Sequence, residues 1–212
     1  MNRSGFRLFK NRKILLVAAH PDDIESGCGG TIAKYGEYNE IHSIVFAPCL
    51  EDPLNAGILR EFQNAMKILG VKKAIKNRFP RDILEKNNQQ IRDILYGLKT
   101  KFDPDVVFCP SLKDLHQDHR AVSNCCITIF RDSATLLTYE LVRSTIDFNP
   151  NLYISLSEKD IKKKLAALKC YRTQYRRTYF KPKIFKALAR FRGSQINSEY
   201  AEAYEIVRMT DR

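Results

Sequence analysis

The stretch Lys-Ile-Leu-Leu-Val-Ala-Ala-His-Pro-Asp-Asp, residues 13–23, decides the fold of this chain. Its apolar residues form a short continuous run, which predicts a buried β-strand over Lys13–Ala19. Three polar side chains follow at once, His20, Asp22 and Asp23. In α/β proteins the ligand-binding groups lie just beyond the ends of strands. The stretch therefore predicts a central strand and the beginning of a functional site.

A second stretch of the same kind lies far downstream. Asp-Val-Val-Phe-Cys-Pro, residues 105–110, is another apolar run and predicts another buried strand, and His-Gln-Asp-His follows at residues 116–119. The chain has 4 histidines, and three of them fall in these two motifs. Imidazole and carboxylate groups at two strand ends are the ligands that a catalytic zinc site uses.

Strands and helices alternate along the chain. The predicted extended segments are Lys13–Ala19, Ile41–Ala47, a weak strand near Lys73–Lys76, Asp105–Pro110, Leu136–Val142 and Leu152–Ser155. The predicted helices run from a break at Gly27–Thr31 to about Tyr38, then over Ile58–Leu69, Ile83–Leu98, Ala121–Phe130 and Glu158–Cys170. This alternation predicts an α/β fold, with a doubly wound, mostly parallel sheet and helices on both faces. The length suits a single domain over residues 1–212.

The order of the strands determines whether the two motifs meet. If Lys13–Ala19 lies beside Asp105–Pro110, in the common 3-2-1-4 order, the direction of winding reverses between these two strands. Ligands bind outside the carboxyl ends of the strands at such a reversal. His20 and His116 follow those two ends, so we expect both motifs to line one crevice.

The residue types in this crevice fit a hydrolytic metal site. Zinc in such a site takes three protein ligands and leaves one position open. His20 and Asp23 can point into one pocket across the proline turn, and His119 supplies a third ligand. The remaining aspartate of the first motif would accept a proton from water, and His116 would donate to the developing oxyanion and to the leaving nitrogen. Asp118 would orient one of the histidines. Spacing alone leaves open which aspartate binds the metal.

Two segments, Ala19–Thr31 and Asp114–Val122, resemble the signature motifs of the LmbE-like, or PIG-L, deacetylase family. Similarity continues at Leu59–Glu61 and Leu69–Val71, Tyr139–Glu140, Phe148–Leu152 and Ala201–Glu205. The resemblance implies a Rossmann-like sheet in one LmbE-like deacetylase domain with Zn²⁺ as cofactor. It also implies removal of the N-acetyl group from an N-acetylglucosamine-containing small molecule, nucleotide sugar or glycan precursor.

By position, the resemblance makes His20, Asp23 and His119 the metal ligands. It makes Asp22 the general base, and His116 the acid and the partner of the oxyanion. These assignments resolve the choice between the two aspartates that spacing leaves open.

Arg60 matches an arginine that contacts substrate in some members of the family. A helix-surface ion pair with a neighbouring glutamate explains the same residue equally well. The first motif departs from the family pattern in one respect. Ile24 stands where the family often has glutamate, and Glu25 follows it, which leaves the expected ligands unchanged.

The chain has a formal net charge of +12, and much of the excess lies between Lys159 and Arg192. A solvated helical face explains this region, and so does attraction to an anionic substrate or to membrane headgroups. No recognised nucleic-acid-binding module accompanies the charge, so nucleic acid is not an expected partner. We expect an N-acetylated amino sugar, neutral or anionic, as substrate, and leave a homo-oligomer open.

Two observations bear on location. The 6 cysteines contain no CxxC pair, which favours free thiols and a reducing, cytoplasmic environment. No stretch approaches the roughly 20 apolar residues that span a bilayer.

Several features have a second explanation. The glycines of residues 27–30 could present amides to an anion at a helix N-terminus, or permit a tight turn and close contact between helix and sheet. The tyrosines at 171, 175 and 179 could stack on sugar rings, or pack against the domain.

The alternative to an enzyme is a glycan- or nucleotide-sugar-binding module with a vestigial metal site. The intact set of polar groups favours the enzyme.

Overall fold

A computed structural model describes residues 9–211 of the chain. The strands in this range are β1 (Lys13–Ala18), β2 (Glu40–Val45), β3 (Lys73–Lys76), β4 (Val106–Pro110), β5 (Thr135–Tyr139), β6 (Leu152–Leu156) and β7 (Tyr200–Arg208). The α-helices are α1 (Asp23–Tyr35), α2 (Ile58–Leu69), α3 (Asn88–Phe102), α4 (Gln117–Phe130), α5 (Glu158–Leu168) and α6 (Pro182–Ser194).

The strands form one sheet in the order β3-β2-β1-β4-β5-β7-β6. Strands β1 and β4 are parallel neighbours, with Leu16 opposite Phe108. Strand β7 runs antiparallel to both of its neighbours, and the other pairs are parallel. The predicted 3-2-1-4 order is therefore confirmed, and the winding reverses between β1 and β4, as the site requires.

Two apolar clusters cover the two faces of the sheet. Leu16 and Ala18 of β1 pack with residues of α1, α2 and α5 in one cluster. Leu15 and Val17 pack with residues of α3 and α4 in the other. A strand that is buried on both faces needs a continuous apolar run, and this explains the composition of β1. The predicted fold class, a mostly parallel α/β sheet with helices on both faces, is confirmed.

The first helix differs from the prediction. Helix α1 begins at Asp23, so residues 27–30 lie inside it and the predicted break there is wrong. A Cβ added at Gly27 would collide with the ring of Tyr139, whose hydroxyl donates to the carbonyl of Val17. Glycine is a poor helix former, but here it lets α1 lie close to the sheet. The prediction of a close contact between helix and sheet is therefore confirmed, and the prediction of a tight turn is wrong.

Two elements near the C-terminus were not predicted, helix α6 and strand β7. Strand β7 inserts between β5 and β6, which makes the sheet mixed at that edge. The helices α2 and α5 match the predicted positions, and Gly70 ends α2 with a φ of 84°. Helix α3 begins at Asn88, five residues later than predicted, because Leu84–Asn87 forms a 3₁₀ turn.

Much of the basic region is paired within the fold. Lys164 is buried and binds Glu202 of β7, with Nζ 2.6 Å from Oε1, so it does not belong to a solvated face. The other ion pairs of the region join Arg176 to Asp52, Lys186 to Glu158, Arg190 to Glu199 and Arg192 to Glu140. The solvated-face explanation is therefore wrong for Lys164.

In the part of the chain that the structure describes, no helix has the length and apolarity to cross a bilayer. All six cysteines lie in this part and are free thiols, four of them buried.

Candidate active site

Both motifs lie at the carboxyl ends of the two central strands. His20 follows β1, and the carboxylate of Asp23, the first residue of α1, accepts from the His20 amide at 2.8 Å. His116 caps helix α4, because its Nδ1 accepts from the amide of Asp118 at 3.2 Å. This cap places His119 in the first turn of α4. The local geometry of two helix starts thus brings the motifs together.

Three potential ligand atoms converge between the motifs. His20 Nδ1 lies 3.1 Å from His119 Nε2. Asp23 Oδ2 lies 3.9 Å from the first of these nitrogens and 3.6 Å from the second. Tetrahedral zinc, with ligands at about 2.0–2.1 Å, separates them by about 3.3 Å. The three atoms are therefore spaced as the ligands of one small divalent ion.

Two carboxylates lie behind the histidines, beside the ring nitrogens that face away from this point. His20 Nε2 donates to Asp118 Oδ2 at 3.0 Å, and His119 Nδ1 lies 3.0 Å from Asp114 Oδ2. The hydrogen bond to Asp118 places the proton of the neutral His20 ring on Nε2 and turns its Nδ1 lone pair inward. His119 Nδ1 makes no hydrogen bond among residues 9–211, but the charge of Asp114 beside it favours the same orientation, with Nε2 turned inward. Two lone pairs and one carboxylate oxygen facing each other repel unless a cation lies among them. The donor set fits a metal ion.

The pKa values of His119 and Asp118 are shifted from their ordinary values. Burial alone would lower the pKa of His119, but Asp23, Asp114 and Asp118 together raise it. Burial opposes ionisation of Asp118, yet His20 and two backbone amides hold its pKa below the usual value. In the protein without metal, a proton on His119 can therefore occupy the position that a cation would take.

A second group of potential ligands combines His20, His116 and Asp118. Its carboxylate is already committed, because the amides of Asp82 and Leu84 donate to its two oxygens at 2.7 and 3.1 Å. His116 Nδ1 also accepts a backbone hydrogen bond. The group of His20, Asp23 and His119 is thus the better candidate for a metal site.

Asp22 lies beside this group and lines the adjoining cavity. Its φ is 86°, in the left-handed region, which aspartate and asparagine adopt more readily than other residues that carry a side chain. Burial, Asp23 and Glu25 raise the pKa of its carboxyl group well above the ordinary value, and Arg177 opposes that rise. A carboxyl group with a raised pKa in a cavity is typical of a functional residue.

His116 is half-buried on the other side of the cavity, 4.7 Å from His20 between ring centroids. Burial and the two neighbouring histidines lower its pKa to about 4. Its Nδ1 accepts from Asp118, so the neutral ring carries its proton on Nε2. His116 can therefore donate a hydrogen bond to an oxygen in the cavity.

The cavity has a volume of about 430 Å³. Besides the motif residues, its wall includes Arg81, Arg143, Arg177 and Tyr179. This volume lies within the usual range for sites that bind small molecules.

Arg60, the predicted substrate contact, is exposed and does not line the cavity. Helix α2 turns Ile58 to the cavity wall, and a residue two positions later faces away from it. Its neighbour Glu61 accepts from the amide and hydroxyl of Thr173 at 3.1 and 2.6 Å. The structure does not bring Arg60 to the site.

Asp118, predicted as a catalytic residue, also does not line the cavity. It is buried behind His20, and its effect on the site passes through that ring. The predicted orienting role fits this position. A role in contact with substrate does not.

Sequence reasoning missed three residues of the site. Asp114 is buried against His119, and its place two residues before His116 in the second motif was the available signal. Glu25 is buried and accepts from the hydroxyl of Tyr171 at 2.8 Å; burial raises its pKa to about 8. Arg177 lines the cavity, and only its position in the basic region suggested a role.

Residues 15–130 match the family model described as PIG-L: GlcNAc-PI de-N-acetylase. The chain belongs to the PIG-L family. An Escherichia coli K12 relative, named as the uncharacterized deacetylase YaiS, is 31% identical over 175 residues, which cover 77% of this chain and 92% of that one.

The fold of this PIG-L chain is also similar to the folds of two solved structures. The conserved protein TT1542 of Thermus thermophilus superposes with a TM-score of 0.79 at 25% identity, over 95% of this chain and 97% of that one. The N,N'-diacetylchitobiose deacetylase of Pyrococcus horikoshii superposes with a TM-score of 0.77 at 22% identity, over 92% and 84% of the two chains. The resemblance stated from the two motifs is confirmed.

Proposed function

We propose that this protein is a zinc-dependent hydrolase that removes the N-acetyl group from an N-acetylglucosamine-containing substrate, as a single domain in the cytoplasm. One observation carries the proposal. Three inward-facing ligand atoms, on His20, Asp23 and His119, lie beside Asp22 and His116 in one cavity. This combination supplies a metal position, a base and a hydrogen-bond donor around the place where an amide could bind.

His20, Asp23 and His119 would hold the ion. When bound, the ion supplies Lewis acidity, which polarises the amide carbonyl and makes water a better nucleophile at neutral pH. Asp22 would accept the proton of that water at its carboxylate. The raised pKa of Asp22 makes it a stronger base than an exposed aspartate.

His116 would donate its Nε2 proton as a hydrogen bond to the carbonyl oxygen, where negative charge develops. The leaving nitrogen needs one proton, and the protonated carboxyl group of Asp22 holds one after the first step. We therefore assign the acid role to Asp22 as well, and keep the oxyanion role for His116. The number of protons then balances without an imidazolium ion.

The comparisons support the substrate class by analogy. The family model and the Pyrococcus horikoshii enzyme are both described as acting on N-acetylated amino sugars. The alternative is a glycan- or nucleotide-sugar-binding module with a vestigial site. The three converging ligand atoms on His20, Asp23 and His119, with Asp22 beside them, favour the enzyme.

We expect the purified protein to release acetate from at least one N-acetylglucosamine compound, tested over the free sugar, chitobiose, and phosphate and nucleotide conjugates. Chelation should abolish this release, and one equivalent of zinc should restore it, because the ion supplies the Lewis acidity. Acetate release and metal content are the measurements. Binding of a sugar without acetate release, in a protein that takes up no zinc, would favour the binding module.

Asp114→Asn is expected to weaken metal affinity by about 10- to 100-fold, as loss of a carboxylate behind a histidine ligand does. The amide removes the negative charge 3.0 Å from His119 Nδ1. Competition with a zinc indicator measures the affinity. Asp93→Asn, an exposed change on α3, is the matched control. Equal affinity of both variants would show that Asp114 does not support the metal site.

A further inference from the structure

We propose that Tyr171 and Glu25 position Asp22, the residue to which we assign the base role. Tyr171 is a positioning residue, because it acts through Glu25 and through the turn at Asp22 and does not touch substrate. The inference rests on the proposed function and deepens it. The family resemblance assigns no role to Tyr171 or Glu25, and neither residue lines the cavity.

The direction of the Asp22 carboxylate depends on its backbone. Asp22 precedes α1 with a φ of 86°, and its side chain makes no capping hydrogen bond to that helix. Among residues 9–211 no donor is hydrogen-bonded to this carboxylate, and Arg177 acts on it only through its charge. The carbonyl of Asp22 accepts from the amide of Ser26 at 3.0 Å, which ties the turn to the beginning of α1. The contacts that hold this turn therefore also set the direction of the base.

The hydroxyl of Tyr171 joins the segment after α5 to this turn. The Tyr171 side chain is fully buried, so it does not stack on a sugar in the cavity. Its hydroxyl donates to Glu25 Oε1 at 2.8 Å. The backbone amide of Asp22 also interacts with this hydroxyl and opposes the rise that burial causes in its pKa. One buried group thus contacts both Asp22 and the glutamate three residues after it.

Glu25 has an unusual environment for a carboxyl group. It lies in the first turn of α1 and is fully buried. Its Oε1 accepts from Tyr171, but its Oε2 is buried without a hydrogen-bond partner among residues 9–211, and Glu25 forms no ion pair with any of these residues. A buried polar atom without a partner costs free energy, which an apolar side chain at this position would avoid. Stability alone therefore does not explain Glu25.

A second buried pair of tyrosine and glutamate shows the difference. Tyr204 donates to Glu202 Oε2 at 3.0 Å, and Glu202 also binds Lys164 and two backbone amides. The charge and the hydrogen bonds of Glu202 are thus satisfied, as expected of a pair that stabilises the fold. Glu25 has the Tyr171 hydroxyl alone. Proteins accept such local costs mainly at functional sites, and Glu25 lies beside the proposed base.

Loss of the Tyr171 hydroxyl should affect Asp22 more than the neighbouring metal ligand Asp23. The Asp23 carboxylate is held separately, because it accepts from the amide of His20 at 2.8 Å. A displacement of about 1 Å in a reacting group can reduce the rate by about 10²-fold. We therefore expect kcat to fall while the affinities for metal and substrate are retained.

Tyr171→Phe tests this expectation, because it removes the hydroxyl and keeps the ring. We expect kcat for acetate release to fall by about 10- to 100-fold, with KM changed by less than about twofold and the zinc content unchanged. Glu25→Gln keeps an oxygen that can accept from Tyr171, and its kcat should stay within about threefold of the wild-type value. Glu25→Leu has no acceptor and should lose as much as Tyr171→Phe.

Tyr204→Phe is the matched control. It also removes a buried hydroxyl from a glutamate, Glu202, and from Thr31, but none of these three residues lines the cavity. Its Tm should fall and its kcat should not change. Circular dichroism and the Tm of each variant show that it is folded.

The double variant of Tyr171→Phe with Asp22→Asn separates positioning from a general effect on the fold. When the base is absent there is nothing left to position, so the double variant should turn over no more slowly than Asp22→Asn alone. Two losses that multiply, or a wild-type kcat in Tyr171→Phe, would overturn the inference while leaving the proposed function intact.

Hydrogen exchange tests the inference without using activity. A peptide that covers residues 20–26 should exchange faster in Tyr171→Phe than in the wild type or in Tyr204→Phe, because the turn is held less firmly. If no sugar releases acetate, the proposed function fails and this measurement decides alone. Equal exchange in the three proteins would then overturn the inference, and faster exchange in Tyr171→Phe would support it.

Discussion

Asp22→Asn is expected to reduce kcat by about 10²- to 10⁴-fold, the contribution that general acid–base catalysis usually makes. The amide keeps the size of the side chain but cannot accept a proton from water. Asparagine also tolerates the left-handed backbone that Asp22 adopts, with a φ of 86°. The fold and the metal content should therefore stay unchanged while turnover is lost.

Asp103→Asn is the matched control for this substitution. Asp103 is exposed at the end of α3 and has a φ of 49°, so the same change is made in the same backbone region far from the cavity. Acetate release, zinc content and Tm are measured for both variants. If the two variants turn over substrate at the same rate, Asp22 is not the base. If Asp22→Asn alone loses zinc, its role is in binding the metal.

The sequence predicted the centre of the fold because the central strands are buried on both faces. Strands β1 and β4 are continuous apolar runs, and each ends at a polar motif. Local patterns of this kind need no knowledge of distant contacts. The position of the site followed from the winding rule for parallel sheets, and the structure places both motifs there.

The groups that depend on distant contacts could not be predicted in the same way. Glycine disfavours helices, so a break at residues 27–30 was the reasonable expectation. The close approach of Tyr139 that requires Gly27 comes from a strand far away in the sequence. The inward position of Arg177 depends likewise on the ring of Tyr179 and on the fold of the whole C-terminal segment.

Strand β7 was missed because its sequence carries Glu202 and Glu205 in what becomes a strand of the sheet. A charged residue in a strand is typical of an exposed position, yet Glu202 is buried. Its partner Lys164 lies in a run of three lysines that resembles a solvated face. Glu202 and Lys164 each suggest an exposed position when considered alone. The ion pair between them explains why both are buried.

Lys164→Met is expected to destabilise the protein by about 3–5 kcal/mol, because it leaves the buried charge of Glu202 without its cation. Methionine replaces the aliphatic stem of lysine, so the loss of packing is small. Lys164 Nζ also donates to the carbonyl of Ser26, and Glu202 accepts from the amides of Gly30 and Thr31 at 2.8 and 2.7 Å. The pair therefore fastens α1, the helix that begins with Asp23.

Thermal unfolding measures this effect, at about 2–4 °C in Tm for each kcal/mol in a chain of this size. Lys186→Met is the matched control, because Lys186 and Glu158 form an ion pair whose side chains are 38% and 41% exposed, against 3% and 5% for Lys164 and Glu202. Solvent screens such a surface pair, so the control should hardly change Tm. The double variant Lys164→Met with Glu202→Gln should recover part of the loss, since it removes the unpaired charge. Equal Tm values for Lys164→Met and Lys186→Met would show that the buried pair does not hold α1 in place.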